Sequence, residues 1–158
     1  VVFTRAANVY GSGQQLYRII PKAMLYARTG RRLKLEGGGR SVRSFIHIDD
    51  VVDATRRAAI DGTPGATYHV STTSEVSIRE LVDQICEMTG VAFGDLVEVA
   101  DDRLGKDRAY RLDAGLIRER LGWNDRITLG QGLAMTPEWV DAHLPLLSQL
   151  PCDYEHKQ

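Results

Sequence analysis

Residues 37–51, Gly-Gly-Gly-Arg-Ser-Val-Arg-Ser-Phe-Ile-His-Ile-Asp-Asp-Val, demand a turn, a strand and a helix start in close succession. Glycine reaches positive φ without a Cβ clash, so the three glycines fit a tight turn. Arg43 stands just before a strand-like run in which alternate side chains leave opposite faces. Asp49 closes that run and is expected to cap a helix starting at Asp50-Val51. A cation held at a turn–strand junction suits an anionic ligand, and the planar fork of arginine suits phosphate. A weak surface ion pair is the plainer reading of Arg43.

The flanking sequence alternates strand and helix signals. Val1–Arg5 is a short β-branched and aromatic run, expected to be a buried strand. It ends in the small-residue loop Ala6-Ala7-Asn8-Val9-Tyr10-Gly11. Ala6 and Ala7 would let a flat ring approach the backbone, and Asn8 offers an amide donor, though Asn is also a common turn residue. Leu16–Thr29 reads as a helix, with Pro21 in its first turn and Gly30 as its stop. Residues 32–36 alternate as a half-exposed strand. Residues 50–60 form a helix with Val51, Ala54, Ala58 and Ala59 inward. The adjacent carboxylates Asp49 and Asp50 read as helix-start residues before acid–base groups, and His47 as structural.

Thr67–Ser71 is a further strand. Ser77-x-x-Glu80 is a capping box, with Val76 and Leu81 as its staple, and its helix ends at Gly90. Cys86 falls on the apolar side of that helix and reads as core. Residues 96–99 are strand-like and 114–121 helical. Thr128-x-x-Gln131 is a second capping box. Pro137 predicts a kink or a restart in the last helix, with Trp139 and Val140 inward. In the tail, Tyr154 is the residue expected to make an ordered contact.

At 158 residues the chain is long enough for its own core. A net charge of −1 gives no general attraction to nucleic acid, and no apolar run reaches the roughly 20 residues of a membrane helix. Cys86 and Cys152 do not form a disulfide framework, so a reducing cytoplasm is the expected setting. Cys152 and His156 lack further ligands at metal-binding spacing. Opening at Val1 within a strand-like run reads as the interior of a longer protein.

These segments together resemble the extended short-chain dehydrogenase/reductase family, specifically its nucleotide-sugar epimerases and dehydratases. Residues 37–51 resemble its GxGxxRDFIHVDDV segment, with Ser44 in place of Asp. Asn8-Val9-Tyr10-Gly11 resembles the loop after the sixth strand of its dinucleotide-binding sheet. Residues 77–85 resemble its SIRELxxxI helix, and 114–123 the segment ending in Leu-Gly-Trp, with Trp123 expected in the smaller domain's core. Arg103–Asp113 is similar to RPGxDRRYxxD, a signature of the nucleotide-sugar 4,6-dehydratases.

The resemblance implies an α/β fold: the end of a Rossmann-type doubly wound parallel sheet (about 1–15 and 43–60), mixed with a small substrate-binding domain (about 16–42 and 61–158). It implies a cradle for a nucleotide-diphosphate hexose, built from Asn8, Arg18, Arg43, Arg103 and Lys106, with His69 at the nucleotide end where relatives carry Asn. A solvated Arg18 and a basic surface loop at 103–106 are the plainer alternatives. The resemblance places Ala6 and Ala7 beside the nicotinamide of NAD, and implies a homodimeric parent enzyme. Its Tyr-x-x-x-Lys pair and Gly-rich pyrophosphate loop do not occur in these 158 residues, so no catalytic residue is assigned. A nucleotide-sugar 4-epimerase and a non-catalytic nucleotide-sugar binding module are the alternatives.

Overall fold

The computed structural model describes residues 1–101 and 109–154. The first elements are β1 (Phe3–Ala6), β2 (Asn8–Tyr10), α1 (Ile19–Thr29), β3 (Leu33–Glu36), a 3-10 turn at Gly37–Gly39, β4 (Val42–Arg43) and β5 (Phe45–His47). Then come α2 (Ile48–Asp61), β6 (Thr67–Val70), β7 (Val76–Ser77), α3 (Ile78–Thr89), α4 (Phe93–Leu96) and β8 (Val97–Ala100). The last are β9 (Ala109–Tyr110), α5 (Gly115–Leu121) and α6 (Leu129–Leu147). The α/β class expected from the sequence is observed, and among the described residues four of the five strand pairings are parallel.

The described residues form two compact units that interleave along the chain. The first takes residues 1–10, 41–77 and 109–132. In it β1 pairs with β6 and β2 with β5, all parallel, while β4 lies between β7 (antiparallel) and β9 (parallel). Its core joins Ile46, Ala54, Ala58, Tyr68, Val70, Ile117 and Trp123. Trp123 is fully buried there, in the unit that holds the β1–β6 pair, and its indole N–H donates to the Asp50 carbonyl at 3.0 Å. Burying an aromatic of this size favours folding strongly, and satisfying the N–H removes the cost of hiding a donor.

Three expectations are corrected in this unit. The opening run is a strand but not a buried one: Phe3 is 56% exposed and Thr4 and Arg5 are exposed with it, because β6 is the one strand paired with β1 among the described residues. Helix α2 starts earlier than the Asp49 signal suggests. His47 is its N-cap, accepting the Asp49 amide on Nδ1 at 3.3 Å, so Asp49 and Asp50 occupy the first turn. That makes His47 structural, as expected, and puts both carboxylates at the positive end of the helix dipole. Ala59 is exposed, whereas Ala54 and Ala58, one turn apart, carry the inward stripe.

The second unit takes residues 11–40, 78–101 and 133–154. Here β3 pairs parallel with β8, and α1 packs on α3. Pro21 sits in the first turn of α1, and Gly30 ends it in the left-handed region at φ 66°. The alternation of β3 is as expected: Leu33 and Leu35 are buried, and Lys34 is exposed. Gly37, Gly38 and Gly39 all have positive φ, and a Cβ on Gly39 would lie 2.8 Å from the Arg79 amide nitrogen, so that turn admits no other residue without a shift. Cys86 is buried in α3, where burial pushes its thiol pKa up, which suits core and not nucleophile.

Helix α6 begins with the expected capping box. The Thr128 amide donates to Gln131 Oε1 at 2.9 Å, and the Gln131 amide returns to Thr128 Oγ1 at 3.4 Å. Thr128→Ala is expected to cost about 1 kcal/mol, read as a lowered urea midpoint at unchanged slope. No loss would mean that the helix start is held elsewhere. Of the kink or restart expected at Pro137, the restart does not occur: α6 runs from Leu129 through Pro137 and Pro145 to Leu147. Leu133, Thr136, Val140 and Leu147 keep one face buried across the proline, so packing outweighs the one missing backbone bond.

Candidate functional site

The first unit is organised around a change of partner inside one extended run. Along residues 3–6 the chain pairs with β6, and the Ala7 amide still donates to the Val70 carbonyl at 2.9 Å. The next amide, that of Asn8, turns to Ser44 at 3.2 Å, and residues 8–10 pair with β5. Successive amides of a strand point to opposite edges, so β6 and β5 flank the run on opposite sides in staggered registers. The carboxyl ends of β1 and β6 therefore stop where β2 and β5 begin. Crevices at the carboxyl ends of parallel strands are where open α/β sheets take ligands.

The small residues Ala6 and Ala7 occupy this junction. Asn8 follows, and its side-chain amide donates to the same Ser44 carbonyl at 3.0 Å. One Nδ2 hydrogen is thus committed, while the second and Oδ1 complete the capacity of the group. Ser44 is buried, and its backbone oxygen receives both Asn8 bonds, so the family's Asp-to-Ser departure leaves that acceptor intact. Arg43 precedes it in β4, held between Val76 and Tyr110 in register, with a guanidinium N–H on the Val42 carbonyl at 2.8 Å. Asn8 and Arg43 are thereby brought together through one intervening residue.

The other expected site residues are placed differently. His69 lies opposite Arg5 in the β1–β6 register. Tyr68 and Val70 alternate into the core, so His69 leaves the opposite face, which it shares with Arg5. Arg18 belongs to the second unit, at the N-cap of α1, with its guanidinium carbon 5.2 Å from the Tyr17 ring centroid. Arg103 and Lys106 lie outside the described residues. Among the described residues, no group of three or more His, Cys, Asp or Glu could hold a metal ion, and no helix is long and apolar enough to cross a membrane.

Two buried polar residues matter that spacing alone does not single out. Asp50, 1% exposed, accepts the Arg126 amide at 3.1 Å and the Ile127 amide at 3.0 Å. These partners lie over seventy residues away, so no local pattern reveals them. Tyr10 packs edge-on against Phe45 and His47, and its hydroxyl points at the Thr128 and Leu129 carbonyls at 3.5 and 3.4 Å. Burial, then the charge of Asp50, pushes its pKa up to about 12. Tyr10 is accordingly a neutral structural donor at working pH and no general base.

The sign follows from linkage. The unfolded phenol ionises near 10 while the folded one keeps its proton to about 12, so stability is intact below about pH 10 and falls as pH rises between the two. The loss is about 2–3 kcal/mol, and it should vanish in Tyr10→Phe; an unchanged pH slope in that variant would refute the assignment.

Residues 1–136 match the family model described as GDP-mannose 4,6 dehydratase. The chain belongs to that family. Among curated relatives, a dTDP-glucose 4,6-dehydratase from Streptomyces griseus is 34% identical over 140 residues, which is 89% of this chain and 42% of the relative. Among solved structures, the dTDP-glucose 4,6-dehydratase of Bacillus anthracis in complex with NAD superposes with a TM-score of 0.86 at 30% identity, over 92% of this chain and 46% of that one. A UDP-glucose 4-epimerase of Thermotoga maritima with UDP-glucose gives 0.83 at 27%, over 90% and 46%. The chain thus spans less than half the length of these relatives, and residues 137–158 lie beyond the part matched by the family model.

Proposed function

We propose that this chain is the substrate-binding part of an NAD-dependent nucleotide-sugar 4,6-dehydratase, which converts a nucleotide hexose to its 4-keto-6-deoxy form with loss of water. The observation that carries the reading is the partner change at Ala7–Asn8. It sets an amide side chain and the arginine-bearing strand β4 beside the carboxyl ends of two parallel strands. In this reading Asn8, Arg18, Arg43, Arg103 and Lys106 offset a diphosphate of about two negative charges and hold the sugar in a reactive pose. His69 contributes one donor at the nucleotide end. Ala6 and Ala7 carry no atom beyond Cβ, which fits a flat nicotinamide ring against the backbone. NAD, when bound, accepts and returns the hydride. The catalytic Tyr and Lys, and most of the NAD contacts, belong to sequence outside these 158 residues, as does the interface of a homodimeric parent.

The dehydratase assignment rests on the Arg103–Asp113 segment, and the 4-epimerase is the second reading because the epimerase structure superposes nearly as well. The test is to incubate the full-length protein from its native gene with NAD and with dTDP-, UDP- and GDP-hexoses, and to follow products by mass and proton NMR. Loss of water from one of them supports the proposal. An inverted C4 hydroxyl at unchanged mass replaces it with the epimerase. Binding without turnover replaces it with the binding module.

A further inference from the structure

The last described residues fold back onto α1. The Lys22 ammonium meets the Asp153 carboxylate at 2.8 Å. The Arg31 guanidinium, itself over the Tyr26 ring, reaches the Cys152 sulfur at 3.7 Å, and Cys152 is buried. The Tyr154 ring meets the Tyr17 ring edge-on, with centroids 5.1 Å apart and planes at 64°. Tyr17 is also the ring over which Arg18 lies. A stack of three groups, Tyr154–Tyr17–Arg18, therefore links the tail to a cation of the proposed diphosphate cradle. This segment lies beyond residues 1–136, so it is not part of what the family model matches.

We propose that Pro151–Tyr154 is a positioning element for Arg18, acting through the Tyr17 ring; this rests on the reading of Arg18 as a diphosphate ligand. The physical case is one of entropy and orientation. An exposed arginine has many rotamers, and a ligand must immobilise it at a cost. A ring face attracts the guanidinium, and a second ring packed edge-on fixes the tilt of that face. Asp153 and Cys152 tie the tail to Lys22 and Arg31, the two cations that lie against the Tyr26 ring, so that Tyr154 is presented to Tyr17. Tyr154 touches no substrate in this arrangement. Its effect is on how much of the Arg18 population is ready to bind.

The experiment uses the full-length protein with NAD bound, and dTDP-glucose and UDP-glucose as probes. Tyr154→Ala is expected to weaken binding of the nucleotide sugar on the order of 5-fold, with NAD affinity unchanged, and Tyr154→Phe to restore it. In an Arg18→Ala background, Tyr154→Ala should add nothing, which a general loss of folding would not imitate. Without ligand, the Arg18 Nε–Hε NMR signal, shifted by the Tyr17 ring, should move in Tyr154→Ala and hold in Tyr154→Phe. Equal weakening in both backgrounds, or an Arg18 signal indifferent to Tyr154→Ala, overturns the proposal. If the wild type binds neither of these nor a GDP-hexose, the functional reading fails, and the Arg18 signal still decides whether the tail sets that side chain.

Discussion

Asp50→Ala should lower the stability of the protein by about 3–5 kcal/mol, the largest loss expected from any single carboxylate among the described residues. The Asp50 carboxylate is buried and takes the amides of two consecutive residues, Arg126 and Ile127, while its own carbonyl takes the Trp123 indole N–H. One residue thus ties the first turn of α2 to the segment that leads into α6. Alanine removes both acceptor oxygens and leaves two donors facing a protein interior, each bond to a charged group being worth about 1.5–3 kcal/mol. Asp50→Asn keeps one acceptor and adds a donor where an acceptor is needed, so about half the loss should remain. The neighbouring Asp49 is a built-in control: its side chain is 63% exposed, and Asp49→Ala should change stability by no more than about 0.5 kcal/mol. Urea unfolding measures all three, and hydrogen exchange at the amides of 126 and 127 should quicken in Asp50→Ala alone. A loss under about 1 kcal/mol with those amides still protected would mean that the loop holds itself.

The adjacent pair Asp49-Asp50 marks the boundary of what the sequence discloses. Signals completed within a few residues are legible: Gly30 ending α1, the glycines of the 37–39 turn, the Thr128–Gln131 box and the inward positions of α3. Each is decided by backbone sterics or by a bond to a near neighbour. What stays hidden is decided by a distant partner. Asp50 reads as a helix-start residue, yet its carboxylate serves residues 126 and 127. Pro137 reads as a kink or a restart, and the buried face of α6 carries the helix past it without a restart. The β-branched opening run reads as core, yet it becomes the strand of a pair with an open face. The same divide runs through the site. Asn8 and Arg43 stand out as residue types in family-like segments, but that Asn8 reaches the Ser44 carbonyl, next to Arg43 in the chain, is a matter of pairing register, which a sequence leaves unspecified until strands find their partners.

Arg43→Ala should raise the KM for the nucleotide sugar about 30-fold in the full-length enzyme while NAD affinity stays within about 2-fold, under the proposed function. Arg43 sits on a strand paired on both edges, so its backbone is fixed, and its bond to the Val42 carbonyl orients the guanidinium. A prearranged fork loses little entropy on meeting a diphosphate, and such charge-assisted bonds are worth about 1.5–3 kcal/mol, or roughly 10- to 100-fold. Arg43→Lys keeps the charge but not the fork and should fall between the two, because a point charge cannot replace two parallel N–H bonds. NAD affinity is the discriminating control, since the nicotinamide is assigned to Ala6 and Ala7 and not to β4. Equal weakening of both ligands would show that Arg43 supports the unit as a whole, and the substrate assignment would fall. A raised KM with undisturbed NAD binding, together with a lysine variant that recovers only part of it, would support Arg43 as a diphosphate ligand.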